Sequence, residues 1–107
     1  MKQGDLVMID FPYADGTRSK WRPALVLSNE RYNRNKSILL AGLYGKRQPH
    51  SVHITNKDMH RGELEKESYV SLQNVFSADK AFIAHTFVGS IASSKMKEVL
   101  TELQKCL

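Results

Sequence analysis

The sequence predicts a mainly β fold with short helices: a small, strongly bent β-barrel with a C-terminal α-helix. Three observations predict it. Apolar runs of strand length recur through the first 90 residues. Gly, Pro, Asn and Asp punctuate those runs as turn residues do. One helical apolar face, and only one of useful length, stands at the C-terminus.

The elements follow in order. Leu6-Val7-Met8-Ile9-Asp10-Phe11 is the first run, bounded by Asp5 and Pro12. Asp15-Gly16 is a turn signal inside a loop expected over 12–22, long for a simple hairpin. Pro23-Ala24-Leu25-Val26-Leu27-Ser28 and Ser37-Ile38-Leu39-Leu40-Ala41-Gly42-Leu43-Tyr44 are the next two runs. A short helical turn is expected within 29–35, and another at 57–59, capped by Thr55 or Asn56. Ser51-Val52-His53-Ile54-Thr55 and Tyr69-Val70-Ser71-Leu72-Gln73 alternate as half-buried strands do. Residues 82–91 supply a last strand, with Gly89 at a bend or bulge. In the helix, Met96, Val99, Leu100, Leu103 and Leu107 share one face, and Ser93 or Ser94 is the expected cap. That face is expected to pack on the strands. Phe11, Phe76, Phe82 and Phe87 are expected in the core.

Length and charge bound the function. The 107 residues suit one domain, 1–107, with a single core. Net charge is +5, and the excess is lopsided. Residues 1–50 hold 9 basic and 4 acidic side chains, whereas 51–107 hold 7 of each. Within 16–50 the count is 8 basic to 1 acidic. Such an imbalance points to an anionic partner, nucleic acid above all. Cys106 is the single cysteine, so no internal disulfide forms. No apolar stretch approaches a membrane span, and the N-terminus lacks a signal-peptide core. The expected location is the cytoplasm. No cofactor is implied. His50 and His53, read as neighbours on one strand face, lack a third ligand, so no metal site is expected.

Several segments, in order, resemble the MazF/PemK family of toxin–antitoxin ribonucleases. The opening Gly4-Asp5-Leu6-Val7-Met8-Ile9-Asp10-Phe11-Pro12 is similar to the family's first strand. Ser19-Lys20-Trp21-Arg22-Pro23-Ala24-Leu25-Val26-Leu27-Ser28 is similar to its Arg-Pro segment entering the second strand. Tyr32-Asn33, Ser68-Tyr69-Val70, Asp79-Lys80 and Val88-Gly89-Ser90-Ile91 resemble later landmarks. The likeness spans nearly the whole chain. It implies an SH3-like (MazF/PemK/CcdB-type) barrel that forms homodimers and is inhibited by a cognate antitoxin protein. It implies metal-independent cleavage of single-stranded RNA, mRNA included, by attack of the 2′-OH, which inhibits growth.

That reaction needs a base for the 2′-OH proton, an acid for the leaving 5′-oxygen and a cation for the phosphorane. Arg22 is the best cation: a permanently charged planar fork suited to phosphate. The family's matching Arg is central to catalysis. Thr17, Ser19 and Gln73 are candidate assisting groups. Arg18, Lys20, Lys46 and Arg47 are candidates to hold RNA phosphates, and Trp21 and Tyr44 to stack on bases. Tyr13 lies in a similar setting. Three departures from the family stand out. The third-strand region Ala41-Gly42-Leu43-Tyr44 has no hydroxyl except Tyr44. Gln73-Asn74 stands where some members place an acid before a Gln. A loop His of some members is matched only by Thr17 or Arg18. The alternative is therefore a toxin-fold module that binds without cleaving, as gyrase-poisoning toxins do, or a silent relative that binds antitoxin or nucleic acid.

Overall fold

The computed structural model describes residues 1–12 and 19–107. The Asp15-Gly16 turn, Tyr13, Thr17 and Arg18 lie outside the described residues. So do the side chains at 11, 12, 19 and 84–87, among them Phe11, Ser19, His85 and Phe87.

Among the described residues, seven strands make one sheet. They are β1 (Asp5–Pro12), β2 (Ser19–Val26), β3 (Ser37–Tyr44), β4 (Ser51–Ile54), β5 (Met59–Gly62), β6 (Ser68–Asp79) and β7 (Ile83–Ile91). Helix α1 (Ser93–Lys105) follows. The order across the sheet is β4-β6-β3-β2-β1-β7-β5, and every neighbouring pair is antiparallel. The sheet bends into a half-barrel, with α1 packed against β4 and β6.

The bend gives the sheet two buried faces. Under α1 lie Leu6, Leu25, Leu27, Ala41, Leu43, Val70 and Leu72, met by Met96 and Val99 of the helix. On the other face lie Val7, Ile9, Ala24, Val26, Ile38 and Leu40, joined by Ile83. This is why β1, β2 and β3 read as continuous apolar runs rather than alternating ones: both sides of each strand meet a core. Burial of each Leu, Ile or Val stabilises the fold by about 1.5–3 kcal/mol.

Short turns lock the connections. Thr55 caps the 3-10 turn Asn56–Asp58: its hydroxyl accepts from Lys57 N at 3.3 Å, and the Asp58 carboxylate accepts from Thr55 N at 2.9 Å. Lys95 then ties that turn to α1, standing 3.7 Å from Asp58 and 2.6 Å from Glu98.

The structure corrects several expectations. The cap of α1 is Ala92, whose carbonyl accepts from Met96 N at 3.0 Å; Ser93 and Ser94 fall within the first turn. Leu107 lies past the helix end and is exposed, because the helical face stops with Leu103. Phe82 is 57% exposed, carried outward by the 3-10 turn Lys80–Phe82. Strand β2 begins at Ser19, so the preceding loop is shorter than expected. Strand β5 went unread because its residues are mostly exposed and carry no apolar period. Its pairing with β7 depends on Gly89: a Cβ there would stand 2.5 Å from the Arg61 carbonyl oxygen. Strand β6 is far longer than 69–73, and the reason is a bulge. Ala41 pairs with Val75 but Leu43 pairs with Val70, so 71–74 arch over Gly42 alone. The arch breaks the period of two on which a strand is recognised. Among the described residues, no helix is long and apolar enough to cross a membrane.

Candidate active site

Arg22 stands in β2 opposite Ile9 of β1, one residue before Pro23. Its side chain therefore shares the face of Ile9 and Ala24, at the end of the sheet where that core runs out. It is exposed, and no ion pair engages it among the described residues. On its other side the β2–β3 register pairs Ala24 with Gly42. That pair ends the ladder; two residues beyond it on each strand, Arg22 and Tyr44 lie on the same face toward the same end of the sheet.

The β6 bulge completes the group. Asn74 Nδ2 donates to the Tyr44 hydroxyl at 2.6 Å. Gly42 makes room for that bond, since a Cβ at this position would stand 2.7 Å from Asn74 Nδ2. With the Tyr44 oxygen accepting from Asn74, its own proton is free to point elsewhere. The chemistry gathered here is a guanidinium and an oriented hydroxyl, both donors, above a half-buried floor. Such donors suit an anion with several oxygens. Asn74 was missed in the sequence because neighbouring Gln73 matched the family's pattern better. The bulge, invisible in sequence, turns Asn74 onto Tyr44 and leaves Gln73 exposed beside it.

The remaining candidates divide. Lys20 is exposed and lies on the Arg22 face of β2. Trp21, 49% exposed, lies opposite Asp10 on the reverse face, because adjacent strand residues alternate. Trp21 and Arg22 are thus neighbours in sequence on opposite sides of the strand. Asp10 buries one carboxylate oxygen on that reverse face, without a hydrogen-bond partner among the described residues. Lys46 and Arg47 are exposed in the β3–β4 connection, at the same end as Tyr44. Arg47 lies over the Tyr69 ring, 5.9 Å from its centroid. Ser19 opens β2 opposite Pro12, while Thr17 and Arg18 fall outside the described residues. His50 sits in the turn before β4 with φ 50, three residues from His53, so the two do not share a strand face. No group of three or more His, Cys, Asp and Glu able to hold a metal exists among the described residues.

One charged segment is displaced from the site. Arg31, Arg34 and Lys36 surround the 3-10 turn Tyr32–Arg34, which precedes β3. Tyr44 ends the same strand, so roughly 25 Å of strand separates Lys36 from it. The lopsided charge is therefore two patches at opposite ends of β3 and not one groove.

The whole chain is similar in shape to solved toxins. An endoribonuclease in complex with its cognate antitoxin, from a mycobacterial species, superposes with a TM-score of 0.79 at 20% identity. That match covers 98% of this chain and 92% of the other. The MazF of a MazE–MazF complex from Deinococcus radiodurans superposes with a TM-score of 0.78 at 21% identity, covering 99% and 94%. MazF alone from the same organism gives 0.73 at 22% identity, covering 99% and 94%. At such identities the likeness establishes the fold. No curated protein sequence matches. The family model of PemK-like, MazF-like toxins of type II toxin–antitoxin systems matches residues 2–107. Over essentially its full length, then, the chain belongs to the PemK-like, MazF-like family of type II toxin–antitoxin toxins.

Proposed function

We propose that the chain is an endoribonuclease toxin that cleaves single-stranded RNA without a metal ion and arrests growth. The observation that supports this reading is that Arg22 is exposed and without an ion pair among the described residues, while the Asn74-bound hydroxyl of Tyr44 lies on the same sheet face, each two residues past the paired Ala24 and Gly42. The 2′-oxygen attacks phosphorus, the P–O5′ bond breaks, and a cyclic phosphate and a 5′-OH end result. The 2′-OH proton leaves to a base, and the departing 5′-oxygen takes up a proton. Arg22 would stabilise the charge that grows on the phosphorane oxygens, and the Tyr44 hydroxyl would donate a second hydrogen bond. Tyr44 thereby supplies the hydroxyl that Ala41, Gly42 and Leu43 lack at this end of β3.

Around this pair, Thr17, Ser19 and Gln73 are assigned as assisting groups. Arg18, Lys20, Lys46 and Arg47 are assigned to flanking phosphates, while Trp21, on the reverse face of β2, is left out of this group. Homodimerisation, a cognate antitoxin and a cytoplasmic location complete the proposal. Solved relatives with bound antitoxin support the partner. An acidic antitoxin segment would compete with RNA for the cations at this end of the sheet.

The test is cleavage of a mixed-sequence RNA in the presence of a chelator, with mapping of new 5′-OH ends. Cuts by the wild type that vanish in Arg22→Ala support the reading. Intact RNA from a folded protein, with growth arrest through blocked DNA topology changes, supports the non-cleaving module instead.

A further inference from the structure

Four adjacent strands place one residue each in a row. Tyr44 of β3 stands opposite Tyr69 of β6, and Tyr69 stands opposite His53 of β4. Arg22 of β2, two residues past the Ala24–Gly42 pair that ends the β2–β3 ladder, lies on the same face at the head of the row. Opposed residues in an antiparallel sheet share a face, so all four side chains emerge on one side. At about 4.8 Å per strand, the row from Arg22 to His53 spans about 14 Å.

The far half of this row is an aromatic stack. The His53 and Tyr69 rings lie with centroids 4.7 Å apart and planes inclined by 17°. The Arg47 guanidinium stands 5.9 Å from the Tyr69 centroid. Glu67 holds His53 by the edge, at 3.2 Å from Nε2. The stack adds little to the core. Val52 and Val70, the neighbours of His53 and Tyr69, point the other way into the cluster beneath α1. The His53 side chain is 42% exposed on the edge strand of the sheet.

We infer that His53, Tyr69 and Arg47 form a base-stacking subsite for the RNA strand whose phosphate Arg22 holds. The inference rests on the proposed cleavage at Arg22. A flat ring already stacked on a second ring, and fixed at its edge by a carboxylate, offers an ordered face to a nucleobase. Every base has such a face, so stacking tolerates any sequence. The guanidinium adds attraction both to the π faces and to the phosphate between the two subsites. The row geometry makes the subsites collinear, so one extended strand occupies both. Glu67 adds a discriminating element: its carboxylate, beside the stacking face, accepts from amino or imino groups and repels an edge made of acceptors alone.

The experiment uses the full chain and short single-stranded RNAs of known cleavage. Affinity is measured by fluorescence anisotropy on a strand made uncleavable by a 2′-deoxy sugar at the cut. His53→Ala is expected to weaken binding by about tenfold, and His53→Phe to restore it. Tyr69→Leu is expected to behave like His53→Ala, with thermal unfolding recorded for each variant. Placing an abasic residue at successive positions beside the cut should reveal one position where His53→Ala costs nothing further. Unchanged RNA affinity in a folded His53→Ala overturns the inference, as does a loss that no abasic position cancels. Weakened binding of an antitoxin peptide with RNA affinity intact overturns it too, and assigns the stack to a protein partner. A wild type that leaves cleavable RNA intact, yet shows the His53 and abasic effects, sinks the cleavage reading and leaves the subsite standing.

Discussion

The two ends of β3 carry similar charge, but only the first is built around a buried hydrogen-bonded network. At its start, Ser28, Asn33, Lys80, Lys36 and Asp79 bond to one another, while Arg31 and Arg34 stand exposed without ion pairs among the described residues. Asn33 is buried, its Nδ2 donating to Ser28 O at 3.0 Å and Met1 O at 3.3 Å, while its Oδ1 accepts from the Ser28 hydroxyl. Lys80 Nζ donates to the Asn33 carbonyl, and Lys36 lies 3.5 Å from Asp79. At the end of β3, Arg22, Lys20 and Lys46 project without ion pairs among the described residues, and Tyr44 directs its hydroxyl proton away from Asn74. The first region is a joint between the chain start, β3 and the turn before β7. The second leaves its donors to a ligand. A count of cations does not separate the two; the buried Asn33 network at the start and the exposed Tyr44 and Arg22 donors at the end do.

Mutations can break this contrast. The largest effect is expected from Arg22→Ala, a fall in cleavage rate of about 10²–10³-fold with no change in the unfolding midpoint. An unfolding midpoint that drops in parallel would make Arg22 structural. Asn33→Ala should do the reverse. Losing its buried bonds costs about 2–3 kcal/mol by denaturant unfolding, while cleavage per folded molecule stays unchanged below the transition. Gly42→Ala is subtler. The added Cβ must displace the Asn74 amide, the end of a flexible side chain, so stability changes little. Cleavage should fall roughly tenfold as Tyr44 loses its orientation. Retained cleavage would remove Asn74 and Tyr44 from the mechanism together.

The smallest effect is one of pH. The Ala81 N–H bonded to Asp79, followed by the Lys36 ammonium, holds the Asp79 carboxyl below its ordinary value of 3.8. Folding therefore favours the ionised form. Its contribution is complete above that ordinary value and is lost as pH falls through the lower folded value. Asp79→Asn should flatten the acid limb of the stability profile slightly and leave the cleavage profile alone. An equal shift of both profiles would couple the two ends of β3.

The sequence by itself determined the β architecture, since apolar runs bounded by turn residues permit little else, and the helix, since its face repeats at helical spacing. It also singled out Arg22, because a guanidinium directly ahead of Pro23 is a local pattern, although the structure sets the pair within β2 and not at its mouth. What escaped it was whatever depends on register. The bulge at 71–74 exists because β6 serves β3 and β4 at once, and no local period announces it. That bulge chose Asn74 over Gln73. Strand alternation sent Trp21 to the face opposite Arg22, although the two adjoin in sequence. Pairing across β3, β6 and β4 aligned Tyr44, Tyr69 and His53, which are far apart along the chain. Charge was legible only as a sum; its division between the two ends of β3, one of them built on the buried Asn33 joint, came from the sheet, because neighbours are assigned by distance in space.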